Sequence, residues 1–287
     1  MSTPIDERTA WNLVRAVPPG LAGTGSARVQ HNPKPDVWLQ VHASGQWEAS
    51  AELTADARDV IELYLPLQLR ADLVIAQIGQ SLDGRIATAS GHSHYVTGPA
   101  DILRLHRLRA LVDAVIVGAG TVALDDPQLT VRKLEGRSPV RVVLDPDDRL
   151  DPDSRVFSDG SAPTLVVRRA PEGDRGPSGA PAPASDEGEV LRLPIRGADG
   201  FDPEEILQAL RARGYRRVLV EGGGITVSRF VQAQVVDRLH VTVAPLLIGS
   251  GRAALTLPAI DSLDEAIRPP CRHFHLGEDV LFDLALR

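Results

Sequence analysis

The sequence predicts an α/β protein, with a mixed and mostly parallel sheet flanked by helices and a small α+β appendage at the N-terminal end. Short apolar runs recur along residues 71–286, each of the length of a buried strand. Segments with helix-start signals lie between several of these runs, and strands that alternate with helices favour parallel pairing. The chain has 287 residues and is 43% hydrophobic, which is enough for one large core with an appendage.

The first 70 residues differ in composition from the rest of the chain. They hold all three tryptophans and a Pro/Gly-rich stretch at positions 18–25. Ser44-Gly45 predicts the turn of a β-hairpin, Thr54 is suited to cap a helix, and Pro66 is expected to end that helix. We therefore treat residues 1–70 as an appendage of unknown role.

Residues 71–287 form the predicted main domain. Within it, residues 170–189 have almost no large apolar side chains, and we expect them to form a mobile surface loop. Helices are predicted at Pro99–Val112, at Asp202–Arg213 and after Gly222-Gly223-Gly224. Buried strands are predicted at Leu73–Ile78, Ala114–Val117, Val140–Leu144, Thr164–Val167 and Val218–Val220. Two more strands are expected at Arg238–Pro245 and Asp279–Leu286, the second as an antiparallel edge.

Charge and cysteine content exclude several classes of function. Lys and Arg number 31 and Asp and Glu 38, a balance of −7 that argues against a general nucleic-acid surface. The single cysteine, Cys271, excludes an intramolecular disulfide and a cysteine-rich zinc site, and His92 and His94 lack the neighbouring acids of a metal site. No apolar stretch resembles a membrane span or a signal peptide, so we expect a cytoplasmic protein without a metal.

Three predicted strand ends are followed by glycine-containing turns, and open α/β sheets bind ligands at such positions. The stretch Gln80–Ala87 follows the first strand, Gly118-Ala119-Gly120 follows the second with Asp125 shortly after it, and Glu221-Gly222-Gly223-Gly224 follows the fifth. Glycines let backbone N–H groups approach a phosphate, although each turn is also compatible with tight packing alone. Together the three turns predict an extended cofactor crevice.

Arginines near these turns are candidate phosphate ligands. Arg109 and Arg132 carry planar guanidinium groups that suit a phosphate. Arg104 and Arg107 lie on the same predicted helix, and we expect them to be solvated because most helix arginines face water. The chain has no GxxxxGK[ST], no GxSxG and no HxE with PCxxC, which excludes the P-loop, the nucleophile elbow and the zinc deaminases.

Short motifs occur in a fixed order along residues 72–287: SLDGRIAT, the segment Gly91–Thr97, HRLRA, VGAGTV with DDP and LTVR, PVRVVLD, LVEGGG and DRLHVTVAPLLIGSGR. In this order they resemble the reductase domain of RibD, the bifunctional deaminase-reductase of riboflavin biosynthesis, which has a dihydrofolate-reductase-like fold. The resemblance includes neither residues 1–70 nor the deaminase half of that family.

The resemblance implies an NADPH-dependent reductase, commonly a homodimer, that delivers hydride to the ribose C1′ of 5-amino-6-(5-phosphoribosylamino)uracil, a small phosphorylated pyrimidine. Asp125 and Glu221 are the implied catalytic acids, which stabilise an iminium-like carbon or relay a proton. The implied substrate contacts fall on Ser93, Arg109, Leu129, Arg132 and Glu221. The implied cofactor contacts fall on Gly79, Tyr95, Thr121, Asp125, Gly222, Gly223 and Gly224.

Two positions depart from the pattern of that family. Gln77 stands on a strand where many members have lysine, and an amide cannot transfer a proton as an amine can. Pro146 stands where a serine near the 2′-phosphate of the cofactor is often found, which removes a hydroxyl and an N–H donor. These departures keep two alternatives open, a reductase of another pterin or pyrimidine metabolite and a non-catalytic NADPH-binding paralogue.

Overall fold

A computed structural model describes residues 3–21, 25–32, 34–93, 96–171, 189–196 and 200–287 of the chain. The chain divides into two units, Met1–Leu73 and Val74–Arg287. None of the helices in the described ranges is long and apolar enough to cross a membrane. The loop predicted at residues 170–189 lies outside the described residues except at its two ends.

The first unit pairs two helices with a three-stranded antiparallel sheet. The side chain of Asp6 caps the first helix by accepting a hydrogen bond from the Thr9 backbone N–H at 2.7 Å. Trp11 and Tyr64 bring the two helices together through an edge-to-face contact, with ring centroids 5.3 Å apart. The elements are α1 (Glu7–Ala16), β1 (Ser26–Gln30), β2 (Trp38–His42), β3 (Trp47–Ala49) and α2 (Ala55–Gln68).

The hairpin and the helix cap predicted in this unit are confirmed, but the predicted helix end is wrong. Strands β2 and β3 pair around Gly45, and Thr54 accepts a hydrogen bond from the Ala57 N–H at 3.2 Å. Pro66 lies inside α2, which continues to Gln68. A proline in the last turn removes a single backbone donor, while Leu65 and Leu67 stay buried, so packing outweighs the local preference.

The second unit is built on a nine-stranded sheet with the order β13-β14-β11-β4-β10-β6-β7-β8-β9. Strand β11 is parallel to β4, and the pairs from β10 to β9 are also parallel, while β14 is antiparallel to β11 and β13 to β14. The strands are β4 (Leu73–Ser81), β5 (Arg85–Ala87), β6 (Ala114–Gly118), β7 (Val140–Leu144), β8 (Thr164–Arg169), β9 (Glu189–Leu193), β10 (Arg217–Val220), β11 (Arg238–Ala244), β12 (Arg252–Ala253), β13 (Cys271–Leu276) and β14 (Asp279–Ala285). The helices are α3 (Pro99–Leu111), α4 (Ala119–Asp125), α5 (Arg155–Ser158), α6 (Pro203–Ala212) and α7 (Gly224–Gln232).

This topology confirms the predicted α/β fold class, because the apolar runs form buried, mostly parallel strands with helices packed on the sheet. Ile116 and Val142 pack with Ile206 of α6 and Phe230 of α7 in one hydrophobic cluster. The predicted strand bounds agree with the observed ones within one or two residues except for β4, which continues through the polar residues Gly79-Gln80-Ser81.

The prediction that Asp279–Leu286 forms the edge of the sheet is wrong. The strand is antiparallel, as expected, but β13 covers it and forms the edge. Only Phe274 of β13 is buried, and its neighbours are polar or exposed. An edge strand with one buried apolar residue lacks the apolar run that reveals the buried strands.

The turn between β10 and α7 is held by very close packing. A Cβ atom on Gly224 would lie 2.3 Å from the backbone oxygen of Ala254 and 2.6 Å from that of Ala253. Gly222 has φ +106°, a conformation that side-chain-bearing residues rarely adopt. The segment that contains β12 therefore lies directly against the beginning of α7.

We expect Gly224→Ala to lower the free energy of unfolding by about 1–3 kcal/mol or more, because backbone atoms must move to admit the methyl group. Urea unfolding measures the change. Gly120→Ala is the control, since a Cβ atom at that helical position meets nothing within 4 Å, and it is expected to be neutral or to stabilise by about 0.5–1 kcal/mol. Equal unfolding midpoints for the two variants would contradict the packing argument.

Candidate active site

A cavity of about 720 Å³ lies along the carboxyl ends of four neighbouring strands, β4, β10, β6 and β7. Its wall includes Gln77 and Gly79 of β4, Gly118 of β6, Leu144 of β7 and Glu221, which directly follows β10. Strand ends of this kind are where α/β sheets bind ligands, and the volume is that of a ligand site. The cavity is therefore the candidate active site.

A buried ion pair crosses the wall of this cavity. Arg109 of α3 donates from Nε to Glu221 Oε1 at 2.8 Å and from Nη2 to Glu221 Oε2 at 2.6 Å. Its Nη1 also donates to the backbone oxygen of Thr130 at 3.3 Å. This two-point geometry fixes both side chains, and each charge neutralises the other.

Two further hydrogen bonds join the chain around the cavity. Ser93 donates from Oγ to Asp125 Oδ1 at 2.6 Å, and Gly223 donates its backbone N–H to Thr121 Oγ1 at 2.8 Å. Thr121 and Asp125 lie four residues apart on α4, so they share one helix face. Helix α4 thus connects the glycine turn after β10 to the loop that carries Ser93.

The glycine turn predicted at Gly118-Ala119-Gly120 is wrong in its detail. Gly118 is the N-cap of α4, and Ala119 and Gly120 form the first turn of that helix. The helix signal is weak in the sequence because α4 has only seven residues and no side-chain cap.

Most of the site residues implied by the sequence line this one cavity. Arg132 does not line it: its Nη1 donates to Thr130 Oγ1 at 2.7 Å, next to the Arg109 pair. Tyr95 lies outside the described residues. Leu129 lines the cavity with φ +55°, an unusual conformation for a large side chain. The implied residues in the lining are Gly79, Ser93, Arg109, Thr121, Asp125, Leu129, Glu221, Gly222, Gly223 and Gly224.

Three cavity arginines were not found by sequence reasoning. Arg149, Arg229 and Arg252 line the cavity together with Arg109. Among the described residues no carboxylate forms an ion pair with any of the three, whereas Glu221 neutralises Arg109. Their positive charges therefore face the cavity without compensation, and only their placement in the fold distinguishes them from the other arginines of the chain.

The prediction that Arg104 and Arg107 are solvated is wrong. Arg104 is only 1% exposed, and Arg107 is also buried. Arg104 donates from Nε to Asp101 Oδ1 at 2.6 Å and from Nη2 to Gln77 Oε1 at 3.0 Å, while its Nη1 lies 3.1 Å from Nδ1 of His240. Two of these partners come from strands distant in sequence, so the helix pattern could not reveal them.

His240 continues this buried network away from the cavity. Because an arginine has only donors, Nδ1 of His240 accepts from Arg104, and Nε2 carries the proton 3.2 Å from Asp283 Oδ1. Burial lowers the pKa of His240, which agrees with a neutral ring. Hydrogen bonds thus lead from His240 through Arg104 to the cavity wall at Gln77, and Asp283 lies against the far side of the His240 ring.

His106 lies beside the Arg109 pair and is also held neutral. Burial, together with the positive charges of Arg109 and Arg132, lowers the pKa of His106 to about 4. Its Nδ1 accepts a hydrogen bond from the backbone N–H of Arg132 at 3.1 Å.

We expect the stability of the protein to fall as the pH drops from about 6.5 towards about 4, because the unfolded chain takes up a proton that folded His106 does not. In His106→Asn, the amide oxygen can accept from Arg132 and nothing titrates, so the decrease should be smaller. His240 acts in the same direction and should leave a residual slope. Urea midpoints at several pH values measure this, and an unchanged slope in His106→Asn would contradict it.

The comparison with protein families identifies the class of protein to which this fold belongs. The chain belongs to the RibD C-terminal domain family, whose model matches residues 72–281. This range contains every described residue of the cavity wall named above.

Curated relatives and solved structures agree with this assignment. The chain is 35% identical over 221 residues to the 2,5-diamino-6-ribosylamino-4(3H)-pyrimidinone 5′-phosphate reductase of Methanothermobacter thermautotrophicus, a match that covers 75% of this chain and 98% of that protein. It is 33% identical over 207 residues to riboflavin biosynthesis protein RibD of Aquifex aeolicus, covering 70% of this chain and 54% of the relative. The chain thus spans about half the length of the RibD relative and almost all of the archaeal one.

A solved structure shows the same fold. The diaminohydroxyphosphoribosylaminopyrimidine deaminase/5-amino-6-(5-phosphoribosylamino)uracil reductase of Thermotoga maritima superposes with a TM-score of 0.61 at 25% identity. The superposition covers 82% of this chain and 64% of the Thermotoga chain.

Proposed function

We propose that the protein is an NADPH-dependent reductase of a ribosylamino-pyrimidine phosphate, with 5-amino-6-(5-phosphoribosylamino)uracil as the substrate and ribose C1′ as the hydride acceptor. The observation that carries the proposal is the cavity, where a glycine turn, an acid held by a serine and a buried Arg–Glu pair meet in a member of the RibD C-terminal domain family. The names of the archaeal and Thermotoga proteins support the same reaction class.

The residues around the glycine turn suit the pyrophosphate of a nicotinamide cofactor, which supplies the hydride when bound. Among the described residues no side chain caps α7, so N–H groups of its first turn remain for an anion, and the helix dipole favours negative charge there. Gly222 and Gly223 keep side chains out of this part of the cavity. Thr121 holds the turn in place through the Gly223 N–H.

Two of the uncompensated arginines support NADPH over NADH. Arg149 follows β7 and Pro146, and Arg229 lies on α7, where its Nη2 donates to the backbone oxygen of Phe201 at 3.3 Å. Leu144 and Phe201 also line the cavity, so the lining combines apolar side chains with both arginines. An apolar pocket next to two cations suits an adenine ring with a ribose 2′-phosphate.

The substrate end of the cavity is proposed around the Arg109–Glu221 pair and Asp125. Glu221 sets the direction of the Arg109 guanidinium, and Ser93 sets that of the Asp125 carboxylate. Both carboxylates stabilise positive charge that develops at C1′, and Arg109 provides donors for an anionic group. Arg252 adds a cation to the same lining for the substrate phosphate.

A closely related substrate is the second candidate. The Methanothermobacter relative is named for 2,5-diamino-6-ribosylamino-4(3H)-pyrimidinone 5′-phosphate, which carries an amino group where the uracil carries an oxygen.

We also propose that the protein is a homodimer and that it acts in the cytoplasm. The homodimer is proposed from the resemblance to the family. The compartment is proposed from Cys271, an exposed cysteine without a disulfide, which suits a reducing environment.

We expect the protein to consume NADPH, followed by its absorbance, only when one of the two pyrimidine phosphates is present. Arg109→Gln should lower kcat/KM at least about tenfold, because it removes charge-assisted hydrogen bonds from the site. Arg137→Gln, at an exposed position outside the cavity, should behave as wild type. NADPH binding without turnover on either substrate would reject the reductase proposal.

We expect Arg149→Gln and Arg229→Gln each to raise the KM for NADPH by about ten- to a hundredfold and to leave the KM for NADH almost unchanged. Arg169→Gln is the matched control, because Arg169 pairs with Asp147 and does not line the cavity. Steady-state kinetics with both cofactors measure the effect. A parallel change in the two KM values would show that these arginines do not recognise the 2′-phosphate.

A further inference from the structure

The two acids of the sequence Asp125-Asp126-Pro127 lie in different environments. Asp125 is the last residue of α4 and lines the cavity, whereas Asp126 is the C-cap of that helix and is not part of the lining. Asp126 has φ +40°, a left-handed conformation that is uncommon for a residue other than glycine. Such a conformation persists where the surrounding structure holds it in place.

Arg155 holds Asp126 at three points. The backbone N–H of Arg155 donates to Asp126 Oδ1 at 2.7 Å, and its Nε donates to Asp126 Oδ2 at 2.9 Å. Its Nη2 also donates to the backbone oxygen of Asp126, and carbonyl groups at a helix end need partners from outside the helix. One arginine thus binds both the side chain and the backbone of the residue that ends α4.

The segment that carries this arginine is anchored to the sheet by a second one. Arg141 lies on β7 and is only 1% exposed. Its Nη1 donates to Asp159 Oδ1 at 2.7 Å and to the backbone oxygen of Arg155 at 3.3 Å, and its Nη2 donates to the backbone oxygen of Ala162 at 2.6 Å. The α5 segment, residues 155–162, is therefore fixed against β7.

This connection matters for the site because α4 has only seven residues. A helix of two turns has little stability of its own, and helix ends fray. Among the described residues, Ser93 Oγ is the one hydrogen-bond partner of the Asp125 carboxylate. A single hydrogen bond does not fix the direction of a carboxylate unless its backbone is held as well, and the next residue, Asp126, is where that backbone is held.

We propose that Arg155 is a positioning residue: it holds the carboxyl end of α4 through Asp126 and thereby directs the Asp125 carboxylate into the cavity. The assignment rests on the proposed reductase function, in which Asp125 stabilises positive charge at C1′. That stabilisation requires a carboxylate that is already in place when the charge develops. Arg155 does not line the cavity, and Asp126 compensates its charge, so its role differs from that of the cavity arginines.

Arg155→Gln tests the assignment. The pair with Asp126 is half exposed, and such pairs contribute little to global stability, so the melting temperature should stay almost unchanged. We expect kcat for the pyrimidine phosphate to fall about tenfold, with much smaller changes in the two KM values, because misplacement of Asp125 affects the transition state. Arg169→Gln is the matched control, since Arg169 and Asp147 form an ion pair of similar exposure outside the cavity lining.

A double-mutant cycle with Asp125 separates positioning from a general structural effect. Arg155→Gln should cost about tenfold in kcat in the wild-type background and almost nothing in Asp125→Asn, whose residual rate no longer depends on the carboxylate. Single-turnover rates measure this when the residual activity is low. A loss by the same factor in both backgrounds would overturn the proposal.

Hydrogen exchange gives a readout that does not depend on turnover. The Asp126 N–H donates to the backbone oxygen of Val122 at 3.0 Å and closes the last turn of α4. We expect this amide to exchange about tenfold faster in Arg155→Gln than in Arg169→Gln, because the end of the helix opens more often.

Equal exchange rates in Arg155→Gln and Arg169→Gln would overturn the positioning role, while an active wild-type protein would retain the proposed function. A wild-type protein that reduces neither pyrimidine phosphate would overturn the proposed function together with the role of Asp125 in it. The exchange rates would then still decide whether Arg155 holds the end of α4.

Discussion

The ion pair between Arg109 and Glu221 is the constraint on which the rest of the site depends. Two opposite charges with little exposure are tolerable only when they satisfy each other, and here both oxygens of Glu221 accept from one guanidinium. The pair joins α3 to the end of β10, and the backbone oxygen of Thr130 connects the loop between α4 and β7 to it. The three segments that form one wall of the cavity therefore keep a fixed relation.

The opposite wall is ordered by smaller interactions that start from the same strand end. Immediately after Glu221, the atoms packed around Gly222 and Gly224 leave no room for a side chain at either position. The Gly223 N–H donates to Thr121 and so attaches the turn to α4. One helical turn further on, Asp125 binds Ser93. Backbone close packing and short polar contacts thus position the two acids of the site on elements that are far apart in sequence.

Charge is distributed unevenly over this site although the chain as a whole carries −7. Asp101 compensates the charge of Arg104, and Glu221 compensates that of Arg109, which also lines the cavity. Arg149, Arg229 and Arg252 line the same cavity without a carboxylate partner among the described residues. A local positive field in a negative protein attracts small anionic ligands without creating a general surface for polyanions.

Much of the fold could be predicted from the sequence because buried parallel strands consist of runs of apolar residues. The glycine turns that follow several of these runs mark the ends of the strands. The burial of Arg104 could not, because it depends on Gln77 and His240, which the sheet brings together from distant strands. Strand β13 was missed because one buried residue, Phe274, gives no periodic pattern. Most residues of the candidate site could be predicted from the sequence motifs. The motifs do not reveal that Arg252 lines the cavity without a carboxylate partner among the described residues.

We propose that one cavity, along the carboxyl ends of β4, β10, β6 and β7, holds both the cofactor and the substrate. A crystal structure of the protein with NADP⁺ is the direct test of this proposal. We expect density for the pyrophosphate at Gly222–Gly224 and the start of α7, with the adenosine end towards Leu144 and Arg149. Density for the dinucleotide outside this cavity, or a pyrophosphate away from the glycine turn, would contradict it.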